Sequence, residues 1–236
     1  MFFYIDWFYI VLVLPAVILS IVASANVNLT FKKYSKLNSK LGVSGEMAAR
    51  LILDASGLND VRIERVSGSL TDHYDPSSNV IRLSSTTYDN KSPAAIGVAA
   101  HEVGHAIQYQ KGYFPIKIRQ AIIPITNFGS RLAIPLILIG ILLSSLGQYY
   151  AIIAYLGVAL FSLCVFFQLV TLPVEFNASK RAIKFLESVG ALTKEEIPIA
   201  KKVLRAAAMT YLAALLVSVA QLIRLLALVS RTKRRH

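Results

Sequence analysis

Apolar residues fall in four long runs, and the polar stretches between them divide the rest of the chain. Trp7 to Ala25 is interrupted only by Pro15, Ser20 and Ser24. Leu132 to Leu146 is too short to cross a bilayer by itself, and extending it back to Ile122 takes in Asn127 and Arg131. Ala151 to Leu172 is the cleanest run; Ala206 to Val229 is long enough but holds Gln221 and Arg224. A spanning helix needs about 20 apolar residues, so the pattern predicts four such helices. Only Gly147-Gln148-Tyr149-Tyr150 separates the second run from the third. So short a link predicts an antiparallel helical hairpin, with its two tyrosines at a membrane interface.

From about residue 30 to 120 the period changes. Ser44 is a candidate N-cap for a helix through Met47, Leu51, Ile52 and Leu53 to Ser56, and Gly57 ends it. Val61 to Val66 alternates as a half-buried strand does. Gly68 begins a turn, and Leu70 to Tyr74 is a candidate second strand. Asp75-Pro76-Ser77-Ser78-Asn79 signals another turn, followed by a third strand over Val80 to Ser84. A further helix starts at Pro93 with Ser92 as its N-cap and has an exit at Gly112. The expected divisions are an N-terminal anchor over 1–29, an α+β region over 30–120, a helical hairpin over 121–172, a short basic segment over 173–205, and a last helix with a basic tail over 206–236.

Composition supports a membrane protein: 55% of the residues are hydrophobic and the mean hydropathy is +0.56. The first run follows Asp6 with no Lys or Arg ahead of it, so it reads as a retained anchor, not a signal peptide. The single cysteine, Cys164, lies in the third run and rules out an intrachain disulfide or a cysteine zinc cluster. A net charge of +12 suits anionic lipid headgroups, and no nucleic-acid motif accompanies it, which argues against a DNA or RNA partner. Lys32, Lys33, Lys36 and Lys40 follow the first run, which predicts an outside N-terminus and polar segments in the cytoplasm. Four crossings would then carry Arg231 to Arg235 outside. Either the last helix stops short or the tail is an exception.

The helix from Pro93 contains His101-Glu102-Val103-Gly104-His105. Residues at i and i+4 share a helix face, so both imidazoles can reach one ion, and Glu102 sits where it could take a proton from a water there. That is the HExxH pattern of zinc hydrolases. Two buried histidines can also be ordinary hydrogen-bonded core residues. Yet the chain has four histidines and two are here, and a buried unpaired Glu102 would be costly. Catalytic zinc takes a third protein ligand. His236 ends a basic tail, so a carboxylate is the better candidate: Glu175, which follows Pro173-Val174 where the third run ends. The hairpin would return it to the side of the HExxH helix; the alternative is an interfacial carboxylate paired with Lys180 or Arg181. His73 or Tyr74 could stabilise an oxyanion or simply shape a turn. The strand from Asn79 to Ser84 could be an edge that pairs with extended peptide or an ordinary sheet strand.

The order of HExxH, hydrophobic hairpin and Glu-x-x-Ala resembles membrane gluzincins, including the HtpX-like and prenyl-protein endopeptidases. Three blocks are more closely similar to the YugP-like neutral zinc metallopeptidase family. They are Leu70-Thr71-Asp72-His73-Tyr74-Asp75-Pro76, Ala100-His101-Glu102-Val103-Gly104-His105-Ala106 and Leu172-Pro173-Val174-Glu175-Phe176-Asn177-Ala178-Ser179. The similarity runs across nearly the whole chain. It implies His101, His105 and Glu175 as ligands of one Zn2+ per chain, Glu102 as general base, and protein or peptide substrates. The fold class expected is an α+β zincin-like catalytic unit on a multi-span, about four-helix, α-helical membrane protein. An acidic residue is expected where the chain has Asn177, so a carboxylate that orients a liganding histidine would be missing.

The function expected is a membrane-embedded zinc metalloendopeptidase of the cell membrane, its site facing the cytoplasm. The competing expectation is a non-catalytic membrane scaffold or transporter component, with Arg131, Gln221 and Arg224 as inter-helix contacts or a polar pathway. A site within a span is argued against by the short apolar stretch before His101 and by Gln108 to Lys111 soon after it.

Overall fold

A computed structural model describes residues 6–233; His236 and the last two arginines of the tail lie outside the described residues. A π-helical turn at Tyr9–Val13 leads into α1 (Leu14–Tyr34), followed by α2 (Gly45–Ala55), β1 (Arg62–Val66), β2 (His73–Asp75) and β3 (Val80–Ser84). Then come α3 (Pro93–Gln110), α4 (Phe114–Leu143), α5 (Ala151–Val189) and α6 (Ile197–Lys233). Four of these helical stretches are long and apolar enough to cross a membrane. The chain divides into a helical unit (6–22, 118–172 and 211–233) and an α/β unit (23–117 with 173–210).

Local chemistry sets the ends of the α/β unit's helices. Ser44 Oγ accepts from the Met47 N–H at 3.2 Å, and Gly57 takes φ +70° beyond the end of α2. Ser92 Oγ accepts from the Ala95 N–H at 3.1 Å, with Pro93 opening α3. Ile52 and Leu53 of α2, Ile81 and Leu83 of β3, and Ile96, Val103 and Ile107 of α3 form a solvent-free core. Ala182 and Leu186 of α5 and Ala200 and Leu204 of α6 close it. Arg50 on α2 donates to the carbonyls of Val61 and Leu58 and so fixes the approach to β1.

The sheet order is β1-β3-β2, with β3 parallel to β1 and antiparallel to β2. The third strand is therefore central, and the expectation that it offers a free edge to a peptide is corrected: it has a partner on each side. On the face away from the core, Arg82 of β3 reaches Asp75 of β2 at 2.9 Å and Glu64 of β1 at 3.4 Å, tying the three strands together. The second strand is shorter and later than Leu70 to Tyr74. Leu70 has φ +55° and Gly68 φ +107°, which breaks extended geometry. Asp72 caps the end of β3, accepting from the Ser84 N–H at 2.7 Å and from Ser84 Oγ at 3.0 Å.

In the helical unit α4 and α5 form the expected antiparallel hairpin, linked by short 3-10 turns at Ser144–Leu146 and Gln148–Tyr150. Gly140 lies against Ala154, and Gly157 lies against Ala133 and Ile137. Those pairs run in opposite directions along the two helices. Ile137, Ala154, Val158, Leu225 and Val229 make a small apolar core, while Ile152, Leu156 and Phe166 are exposed, as lipid-facing side chains would be. Arg224 Nε donates to Asp6 Oδ2 at 2.8 Å, and the Arg231 guanidinium lies 5.4 Å from the centre of the Phe8 ring. The 224–231 stretch of α6 thus lies beside the start of the first helix, and α6 as a whole is long and apolar enough to cross a membrane. Residues 173–205 are mostly helix, because α5 runs unbroken through Pro173 to Val189 and α6 resumes at Ile197.

Candidate metal centre

The centre begins with a close contact between two helices. Gly97 and Gly104 lie seven residues apart on one face of α3. A Cβ on Gly104 would stand 2.6 Å from the Ala178 carbonyl oxygen of α5, and one on Gly97 3.0 Å from Ala200 Cβ of α6. Any side chain at 104 would force α3 and α5 apart. Ala178 and Ala182 are small and fully buried on the facing side of α5. Bare backbone against small side chains carries His101 and His105 to Glu175.

Glu175 Oε2 lies 3.2 Å from His101 Nε2 and 3.6 Å from His105 Nε2. One candidate ligand atom from each of the three residues lies within 4.8 Å of the others. Glu175 is only 2% exposed, and the two imidazoles meet edge to face at 4.7 Å between centroids. Two imidazole nitrogens and one carboxylate oxygen are the donor set of a three-ligand catalytic zinc, so the residues fit the ion. Of the two cations offered as alternative partners for Glu175, Lys180 and Arg181, Arg181 donates through Nε to Asn177 Oδ1.

The far nitrogens of both imidazoles are held from behind. Ser179 Oγ lies 3.1 Å from His101 Nδ1, and Gln108 Oε1 lies 3.0 Å from His105 Nδ1. The direction of the second contact is fixed by a chain of donors. The Arg181 guanidinium can only donate, so it faces Asn177 Oδ1, at 2.7 Å. The same oxygen accepts from Gln108 Nε2 at 3.1 Å, and that nitrogen also donates to the Val174 carbonyl at 2.8 Å. Gln108 must therefore present its oxygen to His105. The proton then sits on Nδ1, and the Nε2 lone pair is left for a metal. Gln108 supplies the orienting acceptor that an acidic residue at 177 was expected to provide, and Asn177 holds Gln108.

Glu102 is 7% exposed on the same helix. Burial pushes its carboxyl up to about 7, opposed in part by His101 and by the Tyr74 backbone N–H. The β2 strand thus passes beside Glu102. Among the described residues neither His73 nor Tyr74 brings a side-chain donor to the cluster. His73 is exposed with Nδ1 2.9 Å from the Thr71 carbonyl, and the Tyr74 hydroxyl donates to Asn79 Oδ1 at 2.9 Å. Both residues belong to β2, and these side-chain contacts stay within that strand and the turns that flank it.

Sequence reasoning missed Gln108, Ser179 and the role of Gly104. Gln108 follows His105 by three residues and Ser179 follows Glu175 by four, so helix spacing could have placed both near the ligands. In the sequence pattern Gln108 counts only as one of the polar residues, Gln108 to Lys111, that argue against a lipid-facing helix.

Comparison with known proteins gives the chain's family. A family model described as "Putative neutral zinc metallopeptidase" matches residues 9–230. The chain is 49% identical over 216 residues to a Bacillus subtilis (strain 168) protein named "Putative membrane protease YugP", covering 92% of this chain and 94% of that one. No solved structure matches the chain. Both matches span nearly the full length: the chain belongs to the neutral zinc metallopeptidase family.

Proposed function

We propose that the chain is a membrane-embedded zinc endopeptidase in which His101, His105 and Glu175 hold one Zn2+ and Glu102 is the general base. The observation that supports this most is the convergence of those three ligand atoms within 4.8 Å, two of them on the helix that also buries Glu102. A zinc ion held there would acidify a water and polarise the scissile carbonyl. Glu102 takes the proton of the attacking water and later passes it to the leaving amine. Ser179 and Gln108 keep the imidazoles aimed throughout. An extended peptide would lie along β2, the sheet edge whose Tyr74 N–H faces Glu102. The lysines that follow the first apolar run support a site on the cytoplasmic face.

Glu102→Gln tests the reading. In membranes carrying the wild-type chain, a comparison of protein termini should reveal cleavage products. The variant should lower their rate of appearance by roughly 10^2- to 10^4-fold while keeping its zinc. A folded, zinc-loaded variant that cleaves at the wild-type rate would remove Glu102 from the mechanism.

A further inference from the structure

Beside the metal centre, between the 176–183 stretch of α5 and the 201–209 stretch of α6, runs a groove of about 490 Å3. Phe176, Leu204, Ala208 and Met209 make its surface apolar, and Lys180, Lys201 and Arg205 stand along it. We propose that this groove binds an anionic phospholipid, its acyl chain along Phe176, Ala208 and Met209 and its headgroup among the three cations.

Charge is the first reason. Lys180, Lys201 and Arg205 are all exposed, and among the described residues no carboxylate forms an ion pair with any of them. Three unneutralised cations around one groove select an anion.

The second reason is the direction of the polarity. Along α6, Lys201 and Arg205 come first, Ala208 and Met209 follow, and the helix continues into its apolar run. Along α5, Phe176 lies nearer the apolar run and Lys180 one turn farther from it. On each helix the groove's cations thus lie farther from the apolar run than Phe176, Ala208 and Met209 do. A phospholipid has that same polarity, and basic pockets between membrane helices recognise anionic headgroups on this principle.

The third reason separates this occupant from a peptide substrate. Ser179 lines the groove and meets His101 at Nδ1, whereas Glu175 meets it at Nε2. The groove thus reaches the imidazole from behind, away from the converging ligand atoms. The inference does not depend on the protease reading, because it concerns binding and not cleavage.

The test is a titration of the full chain, in neutral detergent, with phosphatidylglycerol and with phosphatidylcholine of the same acyl length, followed by native mass spectrometry. The wild type should bind phosphatidylglycerol at least tenfold more tightly. Each of K180Q, K201Q and R205Q should weaken it by about fivefold. A control triple variant, K184Q/K194Q/K202Q, removes the same charge outside the groove and should bind as the wild type does. No preference for the anionic lipid, or equal losses in the groove triple K180Q/K201Q/R205Q and the control triple, would overturn the proposal. So would a groove triple that keeps phosphatidylglycerol but loses an acidic amphipathic peptide.

Discussion

Both units of this chain bury charge, and they balance it in different ways. In the helical unit, Asp6 (4% exposed) receives the Arg224 guanidinium at 2.8 Å, and that guanidinium also lies 5.1 Å from the centre of the Tyr9 ring. One anion meets one cation, and the result is a structural clasp. In the α/β unit, Glu175 (2% exposed) meets two imidazoles whose Nδ1 atoms are already held by Ser179 and Gln108. A carboxylate oxygen and two imidazole nitrogens, all groups able to ligate one ion, converge there within 4.8 Å. Burial of charge marks neither as a functional site. The distinction lies in what the partners offer: a guanidinium that can only donate in the first case, and imidazole nitrogens that can serve as metal ligands in the second.

Breaking the clasp should give the largest of the next effects and leave the metal centre alone. Arg224→Gln leaves Asp6 buried without its cation, and about 3 kcal/mol of stability should be lost. Thermal unfolding in detergent would read this loss, and zinc per chain should not change. Pairing it with Asp6→Asn should recover most of the stability. Loss of zinc with the clasp would mean that the two clusters are not independent.

Removing an orienting group should act the other way. Gln108→Ala frees the His105 ring, and zinc should bind roughly 10- to 100-fold more weakly, read by competition with a chelator. Asn177→Asp keeps an oxygen acceptor for both Gln108 and Arg181, so its zinc affinity should stay within about twofold of the wild type. If Asn177→Asp instead tightened zinc binding strongly, the missing carboxylate would matter and Gln108 would not replace it.

The smallest effect concerns the turn before β3. Hydrogen bonds from Ser77, Arg82 and Ser78 hold the Asp75 carboxyl well below the usual carboxylate range. Below a pH of about 4 the unfolded chain takes up a proton there and the folded chain does not. The stabilisation from Asp75 is therefore complete above that pH and lost as pH falls toward the lower folded value. Asp75→Asn should flatten the acid side of a urea-midpoint profile slightly. A profile unchanged by the substitution would show that the turn contributes nothing there.

What could be read from the sequence was what local chemistry decides. Ser44, Ser92 and Pro93 opened their helices where expected because caps act within one turn, and β3 kept its bounds because a turn and alternating apolar residues define it. Its central position was not legible, since strand order depends on pairings made elsewhere in the chain. The second strand moved because Leu70 adopts a positive φ and Asp72 bonds to Ser84, neither visible as a pattern. Glu175 was legible through the hairpin and the resemblance. The outer partners were not: Gln108 and Asn177 are 69 residues apart, and Asp6 and Arg224 are 218 apart. The domain divisions drawn along the chain also missed that residues 173–210 pack with residues 23–117 in one unit.

The central claim is that Glu175 completes a zinc site with His101 and His105. Metal analysis of the purified full chain tests it most directly, comparing the wild type with Glu102→Gln and Glu175→Ala. The account predicts one zinc per chain for the first two and loss of it for Glu175→Ala, with all three proteins folded. Full zinc retained by folded Glu175→Ala would contradict it.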